Sequence, residues 1–113
     1  MDAVGFQAYI VRASLPDAAT ADDYVAWLRD EHLAAVIRAG AQSARVVRMD
    51  ADGGVVVEVT YEFASESALK EYLTRHAPGL RAEGLKRFGS ERRITFDRRV
   101  GVVVATAGAG PAR

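Results

Sequence analysis

The stretch from Val55 to Phe63 constrains this chain more than any other. Val55, Val57, Val59, Tyr61 and Phe63 alternate with Val56, Glu58, Thr60 and Glu62. Successive residues of a strand point to opposite faces, so this period of two builds one apolar and one polar face. A sheet with such a strand covers its apolar side with something else, and the flanking segments have the pattern of helices. Phe6–Ala13 is aromatic and β-branched and reads as a first strand. Ser14–Asp17 reads as a turn. Thr20 or Asp22 is the expected N-cap of a helix that runs to Ala39, with Gly40 just past its end. Gln42–Met49 reads as a second strand, joined to the third by a hairpin loop over Asp50–Gly54. Ser65 or Ser67 caps a second helix ending near His76–Ala77. Pro78 cannot continue that helix without losing a backbone hydrogen bond, but it suits a first turn. A short third helix is therefore expected from Pro78 to about Phe88, stopped by Gly89. Arg92–Val104 is the last strand, with Gly101 a candidate bulge.

The order β-α-β-β-α-β predicts an α+β, ferredoxin-like fold: a four-stranded antiparallel sheet with helices on one face. The 113 residues suit one domain, placed over residues 1–104, with a flexible small-residue tail over 105–113. The polar side of the third strand is expected to face water or a second copy of the sheet. A homodimer follows from the second option.

Charge and composition exclude several functions. Lys+Arg and Asp+Glu are each 15, whereas a nucleic-acid binder is usually basic overall. The charge is polarised: −4 over residues 1–58 (five bases, nine acids) and +4 over residues 59–113 (ten bases, six acids). The ordinary reading is a mixed solvated surface; the sharper ones are a basic patch for an anionic ligand, or charge pairing between two copies. The segment Lys86–Arg93 is basic around Phe88. On the third strand, however, where an RNA-recognition module carries its signature, Glu58 and Glu62 would repel phosphate. No apolar run approaches the ~20 residues of a membrane span. The first residues lack the basic and apolar pattern of a signal peptide, so a cytoplasmic location is expected.

The chemistry available is sparse. There is no cysteine, which removes thiolate nucleophiles, disulfides and Cys–metal sites. No Gly-rich nucleotide motif and no Gly-x-Ser-x-Gly setting occurs, and the scattered acids do not suggest a metal site. No cofactor and no metal is expected. Acid–base work near neutral pH falls to His32, His76 and any carboxylate raised by burial. At 100° per residue His32 lies in the apolar stripe of Tyr24, Leu28, Val36 and Ala39, and His76 lies with Leu69, Tyr72, Leu73 and Leu80 if the helical phase survives Pro78. Both are expected to point toward the sheet and to share a cleft. For either one, a satisfied structural histidine is the ordinary reading. The tyrosines offer hydroxyl donors, with core packing as their ordinary reading.

Trp27-Leu28-Arg29-Asp30-Glu31-His32 leads through Val36 to Gly40, and Tyr72-Leu73-Thr74-Arg75-His76-Ala77-Pro78-Gly79-Leu80-Arg81 leads to Gly84-Leu85-Lys86-Arg87-Phe88-Gly89. Together these resemble an uncharacterised bacterial domain-of-unknown-function family in the dimeric α/β-barrel superfamily, over roughly residues 6–100. Such sequences often carry proline two residues after the first histidine. Here that position is Ala34, so the first helix is expected to run on without a kink. The resemblance implies a protomer whose open sheet packs on its twin. The wider superfamily contains small cofactor-independent cyclases, isomerases, dehydratases and monooxygenases, along with plain ligand binders. The expected function is accordingly acid–base catalysis on a small carbonyl- or phenol-bearing organic molecule. His32, His76, Tyr24 and Tyr72 are the candidate catalytic residues, and Trp27, Arg75, Arg81 and Phe88 the candidate substrate contacts. The alternative is a non-catalytic homodimeric binding or regulatory module.

Overall fold

The computed structural model describes residues 3–109. Strands β1 (Gln7–Leu15), β2 (Ser43–Ala51), β3 (Gly54–Phe63) and β4 (Thr95–Val102) form one antiparallel sheet in the order β2-β3-β1-β4. The alternation on β3 is complete. Its odd-numbered residues from Val55 to Phe63 are buried beneath the helices, and the even-numbered ones from Val56 to Glu62 are only partly covered. The expected α+β, ferredoxin-like architecture is the one observed.

The first helical segment comprises α1 (Ala18–Trp27), a π-helical turn (Leu28–His32) and α2 (Leu33–Arg38). Its cap is Asp17, not Thr20 or Asp22: the carboxylate accepts from the Thr20 N–H at 2.7 Å, and those hydrogen bonds hold its pKa below the ordinary value. The segment ends as expected. Gly40 takes φ +124°, its N–H bonds the Ile37 carbonyl, and the Ala41 N–H bonds the Val36 carbonyl. The second segment comprises α3 (Glu66–Glu71), another π-helical turn (Tyr72–His76) and α4 (Ala77–Arg87). Ser65 caps it, accepting from Ala68 N–H at 3.1 Å.

The helix therefore does not end at His76–Ala77 to restart at Pro78. It runs through, because the wide turn accommodates the proline. Pro78 has no N–H to give and its ring would press on the carbonyl four residues back. The turn instead closes with a bond from Ala77 N–H to the Tyr72 carbonyl, five residues apart. The first helix makes the same turn, Leu33 N–H to Leu28 carbonyl, without any proline. The first helix thus runs on through Ala34 as expected, but by way of a wide turn that was not foreseen.

Two further boundaries differ. The expected start of the last strand, Arg92, lies in a 3-10 turn (Ser90–Arg92), and Arg93 follows in the left-handed region at φ 61°. Arg92 is held there by an ion pair with Asp23 at 3.0 Å and by the Phe88 ring beneath its guanidinium. Gly101 makes no bulge, since β1 and β4 pair in unbroken register from Ser14–Thr95 to Gln7–Val102. The pairing continues beyond the strand through hydrogen bonds between Phe6 and Val103 and between Gly5 and Val103. Residues 105–109 are exposed and carry no regular structure; the rest of the expected tail, 110–113, lies outside the described residues.

Candidate functional site

The two helical segments do not seal the sheet completely. Between α1, α4 and the β1–β4 side of the sheet lies a cavity of about 230 Å³. Its walls are aromatic. Tyr9 stacks on Tyr61 at 6.1 Å, Tyr24 meets Phe88 edge-on at 5.4 Å and Phe96 at 6.0 Å, and Trp27 lies against Phe88 at 5.4 Å. The His32 ring lies parallel to Trp27 at 4.4 Å and edge-on to Tyr61 at 6.5 Å. Gly84 admits the Trp27 ring to the α4 backbone: a Cβ there would stand 3.2 Å from the indole edge. Leu80, Leu85, Val11, Tyr72, Arg81 and Arg98 complete the lining.

The polar groups on these walls are largely uncommitted. No hydrogen bond among the described residues engages the Tyr24, Tyr61 or Tyr72 hydroxyl or the His32 ring nitrogens, yet no side-chain polar atom is both enclosed and unpartnered. The four groups therefore open onto the cavity they line. Burial lowers the His32 pKa to about 4 from 6.5, and no neighbouring carboxylate counters it, so the imidazole is neutral at pH 7. Burial likewise pushes the Tyr24 and Tyr72 hydroxyls up to about 12 and raises that of Tyr61 as well, so all three remain hydrogen-bond donors. At the rim the Arg81 guanidinium donates to the Tyr9 hydroxyl at 2.9 Å, and that of Arg98 lies 5.4 Å from the Phe96 ring centre.

Six of the eight residues singled out from sequence come together here: His32, Tyr24, Tyr72, Trp27, Arg81 and Phe88. His76 and Arg75 do not. His76 is exposed, and Arg75 is exposed in an ion pair with Glu71 at 3.3 Å. The shared histidine cleft is corrected: His32 lines the cavity and His76 does not. After the second π-helical turn, Ala77, five residues beyond Tyr72, takes the buried position and leaves His76 exposed. Sequence reasoning missed Arg98, Phe96 and Gly84. Phe96 and Arg98 alternate onto the helix side of β4, but the register that sets them opposite Ala13 and Val11 was not readable from one strand alone. Among the described residues no three His, Asp or Glu side chains are grouped to hold a metal ion. Among the described residues no helix is long and apolar enough to cross a membrane.

The model of the domain of unknown function DUF4286 matches residues 8–102 of this chain. The chain belongs to the DUF4286 family. This DUF4286 domain matches no curated protein. Among solved structures it is similar to a dimeric ferredoxin-like protein from an uncultured marine organism, at 14% identity and TM-score 0.64, over 91% of this chain and 99% of that one. It is also similar to HapK from Hahella chejuensis, at 19% identity and TM-score 0.63, over 92% and 98%, and to the de novo designed protein Foldit4, at 13% and 0.60, over 86% and 97%. At these identities the likeness is one of fold.

Proposed function

We propose that this DUF4286 protein is a small enzyme that moves a proton on an aromatic carbonyl compound held in the cavity, using side chains alone. The observation that carries the reading is a neutral imidazole, His32, facing the same space as three unpaired tyrosine hydroxyls. A neutral His32 has a lone pair to receive a proton from a C–H beside a carbonyl. The C–H electron pair becomes a new C=C bond as the carbonyl π pair moves onto oxygen, and Tyr24, Tyr61 or Tyr72 can donate to the resulting enolate. A pKa near 4 makes His32 a weak base in the free protein. The enolate supplies the missing counter-charge, raising the imidazole's proton affinity as the charge develops. The size fits a one- or two-ring compound, since a cavity of about 150 Å³ already holds benzene.

No carboxylate backs His32 to orient it, and this favours a second reading, a non-catalytic binding protein. β-Tetralone, a two-ring ketone with acidic α C–H bonds, separates the two. Binding is measured by calorimetry and exchange of the α protons for deuterium by NMR. Catalysis predicts exchange above the rate with free imidazole, and its loss by about 100-fold or more in His32→Ala with binding retained. Binding of the ketone with no accelerated exchange establishes the second reading.

The reading also includes a homodimer formed through the open face of the sheet. That face carries Ala8, Ile10 and Val56 beside two ion pairs, Arg12 with Glu58 at 3.2 Å and Arg99 with Asp97 at 2.9 Å, and also Arg45 and Glu62, which are in no ion pair among the described residues. Such a mixed face of charges of both signs and apolar groups suits a self-complementary contact with its own copy. The neighbour named as a dimeric ferredoxin-like protein supports this.

A further inference from the structure

Eight ion pairs join the described residues, and seven of them are made by arginines with Asp or Glu. Of the described arginines Arg38, Arg45, Arg81, Arg93 and Arg98 are in none of them, and of these Arg81 and Arg98 line the cavity. Among the described residues no aspartate or glutamate lines it. The cavity rim therefore carries two guanidinium charges that no described residue pairs. Neither cation is idle. Arg81 is fixed by the Tyr9 hydroxyl at 2.9 Å, a bond across 72 residues of sequence that uses one of its five N–H groups. Arg98 stands at the Phe96 ring, where it keeps its whole hydrogen-bonding fork. Both positive charges also act on the Tyr72 hydroxyl, partly opposing the upward shift that burial gives it.

We propose that the molecule held in this cavity is an aromatic carboxylate of one or two rings, its rings against Trp27 and Phe88 and its carboxylate at the rim, between Arg81 and Arg98. This rests on the reading of the cavity as a small-molecule site, not on His32 being a base. Guanidinium forks match the planar geometry of a carboxylate, and the rim offers two of them with no internal competitor. The aromatic walls suit a flat ring, and the Tyr72 hydroxyl adds a donor beside the anion. The compound on which the proton is moved would then carry an acid group as well as its carbonyl.

The test compares β-naphthoate with β-naphthamide, which has the same shape without the charge, by calorimetry at low salt. The carboxylate should bind about tenfold or more tightly than the amide, and that preference should shrink as salt is raised, as for any charge-assisted contact. Arg98→Met should lower carboxylate affinity far more than amide affinity and so remove most of the preference. Arg81→Met should do the same, and its melting temperature shows whether loss of the Tyr9 bond has disturbed the fold. Equal binding of the two compounds by the unaltered protein overturns the proposal, as does a preference that survives both substitutions, or failure of both compounds to bind. Equal binding combined with His32-dependent exchange in β-tetralone sinks only the carboxylate assignment. An arginine-dependent preference with no exchange sinks only the catalytic reading.

Discussion

His32 shows how one side chain's surroundings become a property of the whole fold. Its pKa falls from 6.5 to about 4 because the ring is set between Trp27 and Tyr61 with no anion beside it. In the unfolded chain the same ring takes up a proton near its ordinary value. Below about pH 6.5 the unfolded state therefore binds more protons than the folded state, and stability declines as pH falls toward 4; below that the contribution levels off. His32 is partly open to the cavity, so the discounted loss is about 1–2 kcal/mol between about pH 7 and pH 5. Urea unfolding at the two pH values should show it, and His32→Gln, which cannot titrate, should lose less stability over the same interval. An identical pH response in the two proteins would mean that burial does not hold the ring neutral. A bound carboxylate weakens this effect, since an anion in the cavity favours the imidazolium.

At the scale of elements, the sequence told most where side-chain periodicity was regular and least where the backbone changed its period. The alternation on β3 located the buried face of the sheet. Asp17 was overlooked because its signal as a cap lies in a carboxylate reaching forward to Thr20 N–H, whereas Thr20 and Asp22 were equally plausible by type. His32 lies beside Trp27 and Tyr61 on the sheet side, although it holds the same last place in its wide turn as His76 holds in the second. His76 was misplaced: the residue after the second turn, Ala77, takes the buried position and leaves His76 exposed. No local signal announced the first turn, which forms at Ala34 without the proline that the second accommodates. Gly84 offers a test at this scale. Alanine there would gain roughly 1 kcal/mol of helix propensity, but its Cβ would stand 3.2 Å from the Trp27 ring edge, so the indole must shift into the cavity. Gly84→Ala should leave the melting temperature within a few degrees of the parent while weakening β-naphthoate binding several-fold, about as expected when a wall group intrudes on a close-packed ligand. Trp27 is the only tryptophan, so its fluorescence reports the displacement directly.

At the scale of the whole molecule, the helices occupy one side of the sheet and leave the other to solvent or a partner. Light scattering at micromolar concentration should give a mass near twice the 12.2 kDa of the chain. Glu58→Lys, which breaks the charge match with Arg12 on the open face, should shift that mass toward one protomer. A monomeric mass for the unaltered protein would remove the dimer from the reading. The fold order was legible because each element has its own pattern. The site was legible only in its helical half, because its sheet half depends on how β4 pairs with β1.

That pairing also sets an order in time. Tyr9 and Val11 come from the first strand, and Phe96 and Arg98 from the last, which touches no other strand of the sheet. While the chain is being made, the wall that β4 supplies does not yet exist, and the contacts that create it span most of the sequence, the kind that form late. A nascent or truncated chain lacking residues 95–102 could build both helices and three strands and still have no enclosed site. Any occupant of the cavity then acts as a clamp on completion, holding the final strand to the first and distinguishing the finished protein from all of its shorter predecessors.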